Sequence, residues 1–303
     1  MSDTYFGMSD LAKNERIDDL AKGYFWDKEN EKYLDIAWLE QPEGSGAGEM
    51  ISNVFDFAKF LRAMIRKSGP ISEQGHEELV KPRTIVHEDI KPFKSAPLYA
   101  LGWEINTFHG ELVISHDGSI NGFGSKMLYI PRLEWGYVAF GNAEDAYEAH
   151  EKISGELIDD LLDVPADKRF DWNEMLQKRM DSPDCETIEE LYPDLPEKRL
   201  PLTLPLEEYT GTFEDEGYGK FVVELKDGKL VTDAMDRTWR SMLTYVHVSG
   251  EYFAIEVLDP ESGEVDRVKA EFRIGVEGKV TKMGIAWVDE MKDDLIWFER
   301  CDE

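Results

Sequence analysis

The sequence predicts an α+β chain: an antiparallel sheet with helices against it, followed by a separate all-β antiparallel, barrel-like domain. Three observations carry that expectation. Between Glu111 and Gly141, runs rich in β-branched and aromatic residues (111–116, 123–130 and 135–141) are divided by Gly, Asn and Pro131, which spells a three-strand meander. Segments of helical periodicity flank it at 54–65 and 144–162. Beyond residue 205 the texture changes to short strand-like runs separated by hairpin dipeptides such as Asp227-Gly228 and Ser249-Gly250.

Residues 1–43 are mixed and turn-rich, with 17–22 too short for a helix assignment and 23–26 reading as an extended aromatic segment. The glycines of 44–48 could spell a dinucleotide loop, but the chain after them does not alternate strand and helix as a βαβ unit requires. They are read as a tight loop before a helix. In that helix Val54, Phe57, Ala58, Leu61, Met64 and Ile65 recur on one face. Asn53 is its predicted N-cap with Asp56 three residues on, an approximate capping box, and Gly69-Pro70 ends it. Ser72–Val80 reads as a short second helix. Its His76-Glu77-Glu78-Leu79-Val80 begins like a zinc-protease motif but has Val where the second His ligand belongs. Residues 81–98 read as loop, marked by Pro82, Pro92 and Pro97.

Six of the thirteen prolines fall between 165 and 205, which predicts a linker around one amphipathic piece, Trp172–Met180. The expected domains are therefore 1–164, the 165–205 linker, and 206–303. In the last, strands are expected at 209–213, 221–225, 237–243, 245–248, 252–258, 268–274, 280–288 and 295–299. That spacing predicts a sandwich or a barrel.

Acidic residues outnumber basic ones by 64 to 34, a net charge of −30. Because the acid is interleaved with Lys and Arg, it describes a solvated surface that repels phosphate backbones and anionic lipid. Neither nucleic acid nor membrane is an expected partner. With 42% hydrophobic and 12% aromatic residues there is material for packed cores. Cys185 and Cys301, far apart and outside any C-x-x-C, make no disulfide framework. The N-terminus lacks the basic start and apolar run of a secretory signal, and a cytoplasmic location is expected.

The chemistry concentrates at His116-Asp117-Gly118-Ser119, inside the meander. Taken alone, Asp-Gly is a common turn and a histidine near a strand end is most often structural. In context, 99–142 together with 44–65 resembles the C-terminal half of the catalytic domain of serine β-lactamase-like proteins, the class C and penicillin-binding-protein superfamily. Thr4-Tyr5-Phe6 and Gly23-Tyr24 resemble further stretches of it. The fold so implied is a partial β-lactamase-like antiparallel sheet with helices. The resemblance also implies action on small esters or amides, without cofactor or metal. His116 would bind substrate and tune the base, and Gly118 would leave room for substrate along the strand. The Ser119 N–H would form half of the oxyanion hole. The last hundred residues, through LPLEEYTGTF, GKL and EFRIG, resemble the lipocalin-like C-terminal domain appended to some relatives.

Two further family elements are a Ser-x-x-Lys nucleophile and a Tyr-x-Asn or Ser-x-Asn relay. No serine here has Lys three positions on, and no tyrosine has Asn two positions on. In the family both lie upstream of the segment that this chain resembles. The chain is therefore expected to be N-terminally truncated and catalytically impaired. The alternative is a non-catalytic binding or assembly protein, working through a homo-oligomer or a protein partner that covers the incomplete domain. Ser115, adjacent to His116 on a strand, points to the opposite face. Ser119 could approach His116 only across a turn. Trp103, Tyr129, Trp135 and Tyr137 are expected to pack the sheet.

Overall fold

The computed structural model describes residues 1–28, 30–86, 90, 93–143, 145–180, 185–288, 291 and 293–301. It divides into two units, Met1–Asp181 and Ser182–Glu303. The first begins with β1 (Tyr5–Phe6), α1 (Gly7–Lys13), the hairpin β2 (Gly23–Asp27) and β3 (Lys32–Ile36), α2 (Ser45–Gly48) and β4 (Met50–Ile51). Next come α3 (Val54–Ile65), α4 (Glu73–Leu79), β5 (Thr84–Ile85), β6 (Leu98–Tyr99) and β7 (Glu104–Phe108). The unit continues with β8 (Glu111–Ile120), β9 (Phe123–Ile130), β10 (Trp135–Gly141), α5 (Ala146–Leu161) and α6 (Trp172–Met180).

The expected meander is the major part of a six-stranded antiparallel sheet, ordered β10-β9-β8-β7-β6-β5. β9 and β10 fall on the predicted runs. β8 continues four residues past His116, because Asp117-Gly118 lies within the strand instead of turning it. β7 was hidden by Asn106, a buried polar residue that breaks the apolar alternation. β5 and β6, two residues each, are strands only by virtue of their neighbours; β5 falls in the stretch expected to be loop and β6 straddles its end. The rest of that stretch, including Pro92, lies partly outside the described residues, as does Glu144 at the expected start of α5.

Period-2 alternation sorts the sheet's side chains. Ile105, Ile114, Met127, Tyr129 and Val138 pack with Leu61 and Met64 of α3. Phe108, Val113, Leu128 and Ile130 meet Ile158 of α5 and Trp172 of α6 on the other side. Two glycines set these approaches: a Cβ at Gly136 would lie 2.8 Å from Leu61 Cδ2, and one at Gly155 would lie 2.1 Å from Trp172 Cζ2. His76, from the incomplete zinc motif, is buried with Nε2 at 3.2 Å from the Ser68 carbonyl, a structural role.

Asn53 caps α3 as expected, its side-chain oxygen accepting the Asp56 N–H at 3.0 Å. The reciprocal half of the capping box is not made. The buried Asp56 carboxylate instead accepts from Asp3 N–H at 2.7 Å, the Thr4 hydroxyl at 3.0 Å and the Lys59 ammonium at 2.7 Å. One carboxylate thus ties the first residues of the chain to α3.

The second unit holds α7 (Ile188–Leu191) and eight strands: β11 (Gly211–Asp215), β12 (Gly219–Lys226), β13 (Lys229–Ala234), β14 (Ser241–Ser249), β15 (Tyr252–Leu258), β16 (Val265–Ile274), β17 (Val280–Ala286) and β18 (Ile296–Arg300). They close into an antiparallel barrel in which β11 pairs with both β12 and β18. Phe213, Leu230, Leu243, Tyr245, Phe253, Phe272, Met283 and Phe298 fill its core. Tyr209 sits in a 3-10 turn before β11 and packs its ring 5.3 Å from Phe272. The expected strands 237–243 and 245–248 are one strand, β14, while β13 was not anticipated.

The proline-rich 165–205 segment is not one exposed tether. Trp172 is buried in the first unit's core, whereas Leu191 joins Val248 and Ala254 on the barrel, and the Tyr192 hydroxyl donates to the Phe253 carbonyl at 2.7 Å. Among the described residues no helix is long and apolar enough to cross a membrane.

Two tests follow from this packing. Gly155→Ala should lower stability by about 1–3 kcal/mol, read by thermal unfolding, because its Cβ drives into the Trp172 ring. The Asp56 carboxyl is held at about 2, against an ordinary 3.8, by its hydrogen bond to Lys59 and those from Asp3 and Thr4, which outweigh burial. A lowered folded-state value contributes stability above 3.8 that is lost as pH falls from 3.8 towards 2. Acid unfolding of Asp56→Asn should lack that contribution and be less steep over this window.

Candidate active site along the open edge of β8

β8 is flanked unequally along its length. Its ladder with β7 ends at the Glu104–Ser115 pair, whereas its ladder with β9 runs on to Ile120–Phe123. Among the described residues, the strand from His116 to Ile120 therefore has one paired edge and one edge without a strand beside it. The predicted site residues His116, Gly118 and Ser119 all lie on this half-paired stretch.

Alternation divides their side chains. His116, Gly118 and Ile120 face the α3 side of the sheet; Asp117 and Ser119 face the α5 side. The half-buried His116 ring is held at both nitrogens. Nδ1 lies 2.7 Å from the Asp117 carbonyl, which can only accept, so Nδ1 carries a proton. In the neutral ring Nε2 is then the acceptor, and the Tyr99 hydroxyl at 3.0 Å donates to it. Gly118 makes room for the neighbouring strand: a Cβ there would lie 2.5 Å from Ser125 Oγ. The Asp117 carbonyl taken by the imidazole and the Ser119 N–H, two residues on, belong to the same edge of β8.

Because no turn intervenes between 116 and 119, the exposed Ser119 hydroxyl leaves on the face opposite His116. The structure does not bring that serine and histidine together, and Ser115, buried on the Ser119 side, fares no better. Ser119-Ile120-Asn121 also spells Ser-x-Asn, a relay variant that a scan for Tyr-x-Asn passes over. Here it lies on the strand itself and its turn.

The α5 face carries what the sequence did not reveal. Lys126, paired in register with Asp117, is 5% exposed. Its ammonium donates to both Asp117 carboxylate oxygens at 3.1 Å and to Glu151 of α5 at 2.7 Å. Burial acts against all three charges. For Glu151, attraction to Lys126 overcomes burial and lowers its pKa. Asp117 is pushed up by burial and by repulsion from Glu151, with Lys126 opposing. Lys126 itself is raised: burial alone would lower it, and two carboxylates outweigh that. The Tyr147 phenol beside them rises to about 12 through burial and both carboxylates. Correct strand register would have exposed the Asp117–Lys126 pair; Glu151 and Tyr99 depend on tertiary packing.

A second histidine–carboxylate contact, His109 Nε2 to Asp159 Oδ1 at 3.0 Å, lies beside the β7–β8 turn, at the far end of β8. Among the described residues no group of three or more His, Cys, Asp or Glu could hold a metal ion. Replacing Lys126 by Met should cost about 3–5 kcal/mol in urea unfolding, because it strands two largely buried carboxylates. Adding Glu151→Gln to that variant should recover part of the loss.

Comparison with known proteins identifies the family. Residues 3–157, just over half of the chain, match the Beta-lactamase family. Residues 195–300 match a family described as a domain of unknown function, DUF3471. The unguisins hydrolase ungD' of Aspergillus campestris is 31% identical over 311 residues, covering 99% of this chain and 57% of its own length. The unguisins hydrolase ungD of Aspergillus violaceofuscus is 31% identical over 329 residues, with the same coverages of 99% and 57%. This chain thus spans little more than half the length of these relatives. The octameric penicillin-binding protein homologue from Pyrococcus abyssi superposes with a TM-score of 0.46 and 20% identity, covering 99% of this chain and 57% of that one. The chain belongs to the Beta-lactamase family.

Proposed function

We propose that this chain carries the substrate-strand part of a β-lactamase-like serine hydrolase site for small esters or amides, and that alone it binds without forming an acyl-enzyme. The observation that carries the reading is the half-paired stretch of β8 from His116 to Ile120. An extended acyl group adds there as a strand adds to a sheet edge. We take the edge shared by the Asp117 carbonyl and the Ser119 N–H as the one it meets, so that Ser119 N–H donates to the reacting carbonyl oxygen. His116, oriented by Tyr99 and its own backbone, supplies a polar group beside it. The two relatives are named as unguisins hydrolases, which makes unguisins a substrate candidate here.

Acyl transfer also needs a nucleophile and a base within hydrogen-bond reach of one another. The 303 residues contain no Ser-x-x-Lys, and Ser119 and His116 occupy opposite faces. Loss of the nucleophile in serine proteases leaves about 10³-fold residual rate enhancement, and that residue rests on an intact oxyanion hole. In this family the second N–H of the hole comes from the nucleophile itself. The same observations support a second reading, a non-catalytic binding or assembly protein that acts through a partner.

A fluorophosphonate or penicillin probe should give no stoichiometric adduct by intact mass, and chromogenic esters should show little or no turnover. One adduct per chain, abolished by Ser119→Ala but not by Ser115→Ala, would overturn the non-acylating state. A small N-acyl ester titrated into the chain should move the ring resonances of His116 and leave those of His247, on the barrel, in place. Failure to move His116 would remove the strand-binding reading.

A further inference from the structure

The backbone of β8 is held unevenly. Two-residue turns at 109–110 and 121–122 flank the strand, and the residues beside such a turn exchange both ladder bonds. Odd-numbered residues of β8 therefore turn their N–H and C=O towards β7, and even-numbered ones towards β9. Asp117 is odd and lies beyond the last β7 pair, Glu104–Ser115, so among the described residues no ladder bond fixes its peptide groups. The next residue is Gly118, which leaves the intervening peptide plane free to turn. What holds Asp117 is its side chain. On the α5 face both carboxylate oxygens accept from Lys126 at 3.1 Å, and Lys126, 5% exposed, is itself tied to Glu151 at 2.7 Å. The carbonyl of the same Asp117 accepts from His116 Nδ1 at 2.7 Å.

We infer that Lys126 is a positioning residue for His116: through Asp117 it holds the carbonyl that keeps the imidazole proton on Nδ1. The ring's other contact cannot make that choice. The Tyr99 hydroxyl, 3.0 Å from Nε2, donates to an acceptor or accepts from a donor equally well. The tautomer is thus decided at the Asp117 carbonyl, and that carbonyl points where the Lys126 clamp holds it. With the clamp in place, Nε2 is a hydrogen-bond acceptor on the α3 face of the sheet. Once the clamp is released, the 117–118 peptide turns, Nδ1 loses its partner, and the ring presents Nε2–H, a group of opposite hydrogen-bonding sense. One chain of contacts therefore runs from Glu151 on α5 through Lys126 on β9 and Asp117 on β8 to the ring. The consequence for substrate rests on the reading of residues 116–120 as the substrate strand. The experiment reads the ring without ligand, so the two fail separately.

The test is nitrogen-15 NMR of the histidine rings in the full chain at about pH 9, well above the ordinary imidazole pKa of about 6.5. His247, on the barrel, serves as internal reference. His116 should show the Nδ1–H form, and a ring protonated on Nε2 overturns the proposal. Asp117→Ala removes the clamp but leaves Lys126 and Glu151 as a matched buried pair. It should lower the Nδ1–H to Nε2–H ratio roughly two- to tenfold, the worth of one neutral hydrogen bond, and leave His247 unmoved. Asp117→Asn, whose carboxamide oxygen still accepts from Lys126, should restore the ratio. Glu151→Gln, which keeps the Lys126–Asp117 contact, should not disturb it. Lys126→Met in the Glu151→Gln background should match Asp117→Ala; if that double variant does not fold, the two Asp117 variants decide alone. An unchanged ratio in Asp117→Ala, or in a folded double variant, overturns the proposal. So do equal ratios in Asp117→Ala and Asp117→Asn, which place the effect in the backbone of residue 117 and not in its contact with Lys126.

Discussion

A single ammonium between two carboxylates underlies the candidate site. Lys126 joins β9 to β8 through Asp117 and the sheet to α5 through Glu151, from a buried position between the sheet and that helix. Such a triad adds little net stability over a packed hydrocarbon core, because desolvation of the charges offsets their attraction. Its strength lies in discrimination. A one-residue slip of β9 against β8 would turn Lys126 to the other face and leave Asp117 and Glu151 buried without a cation. That penalty fixes which residues stand opposite His116 and Gly118, and therefore where Ser125 and the half-paired edge come to lie.

How much of this was legible in the sequence varied with the range of the interaction. α3, α6, β9, β10 and β15 could be read almost to the residue, because each combines a clean period with local stop signals. β5, β6 and β7 were not legible: two are dipeptides held by their neighbours, and the third buries a polar Asn106. In the barrel the number of strands was right although β13 was missed and β14 was split, because outward-facing residues carry no constraint that marks them as strand.

The candidate site shows the same division. His116, Gly118 and Ser119 announced themselves as a motif. Their allocation to opposite faces followed only once Asp117-Gly118 proved to be mid-strand. Asp56 is the converse case. Sequence spacing suggested a local capping partner for Asn53, but its carboxylate serves residues more than fifty positions away. A short acidic side chain three residues into a helix can close a box or reach outwards, and only the tertiary neighbourhood decides which.

The closed barrel has a consequence for how such a unit is carried by a longer chain. Its first and last strands are neighbours: Phe213 stands opposite Arg300, the Arg300 guanidinium reaches the Thr210 carbonyl, and Cys301 N–H bonds the Thr212 carbonyl. Chain entry and chain exit therefore meet at one seam. A unit of this kind behaves as a cassette. Gained, lost or reopened at another hairpin by circular permutation, it keeps every other strand pairing, and only the β11–β18 seam has to be re-formed.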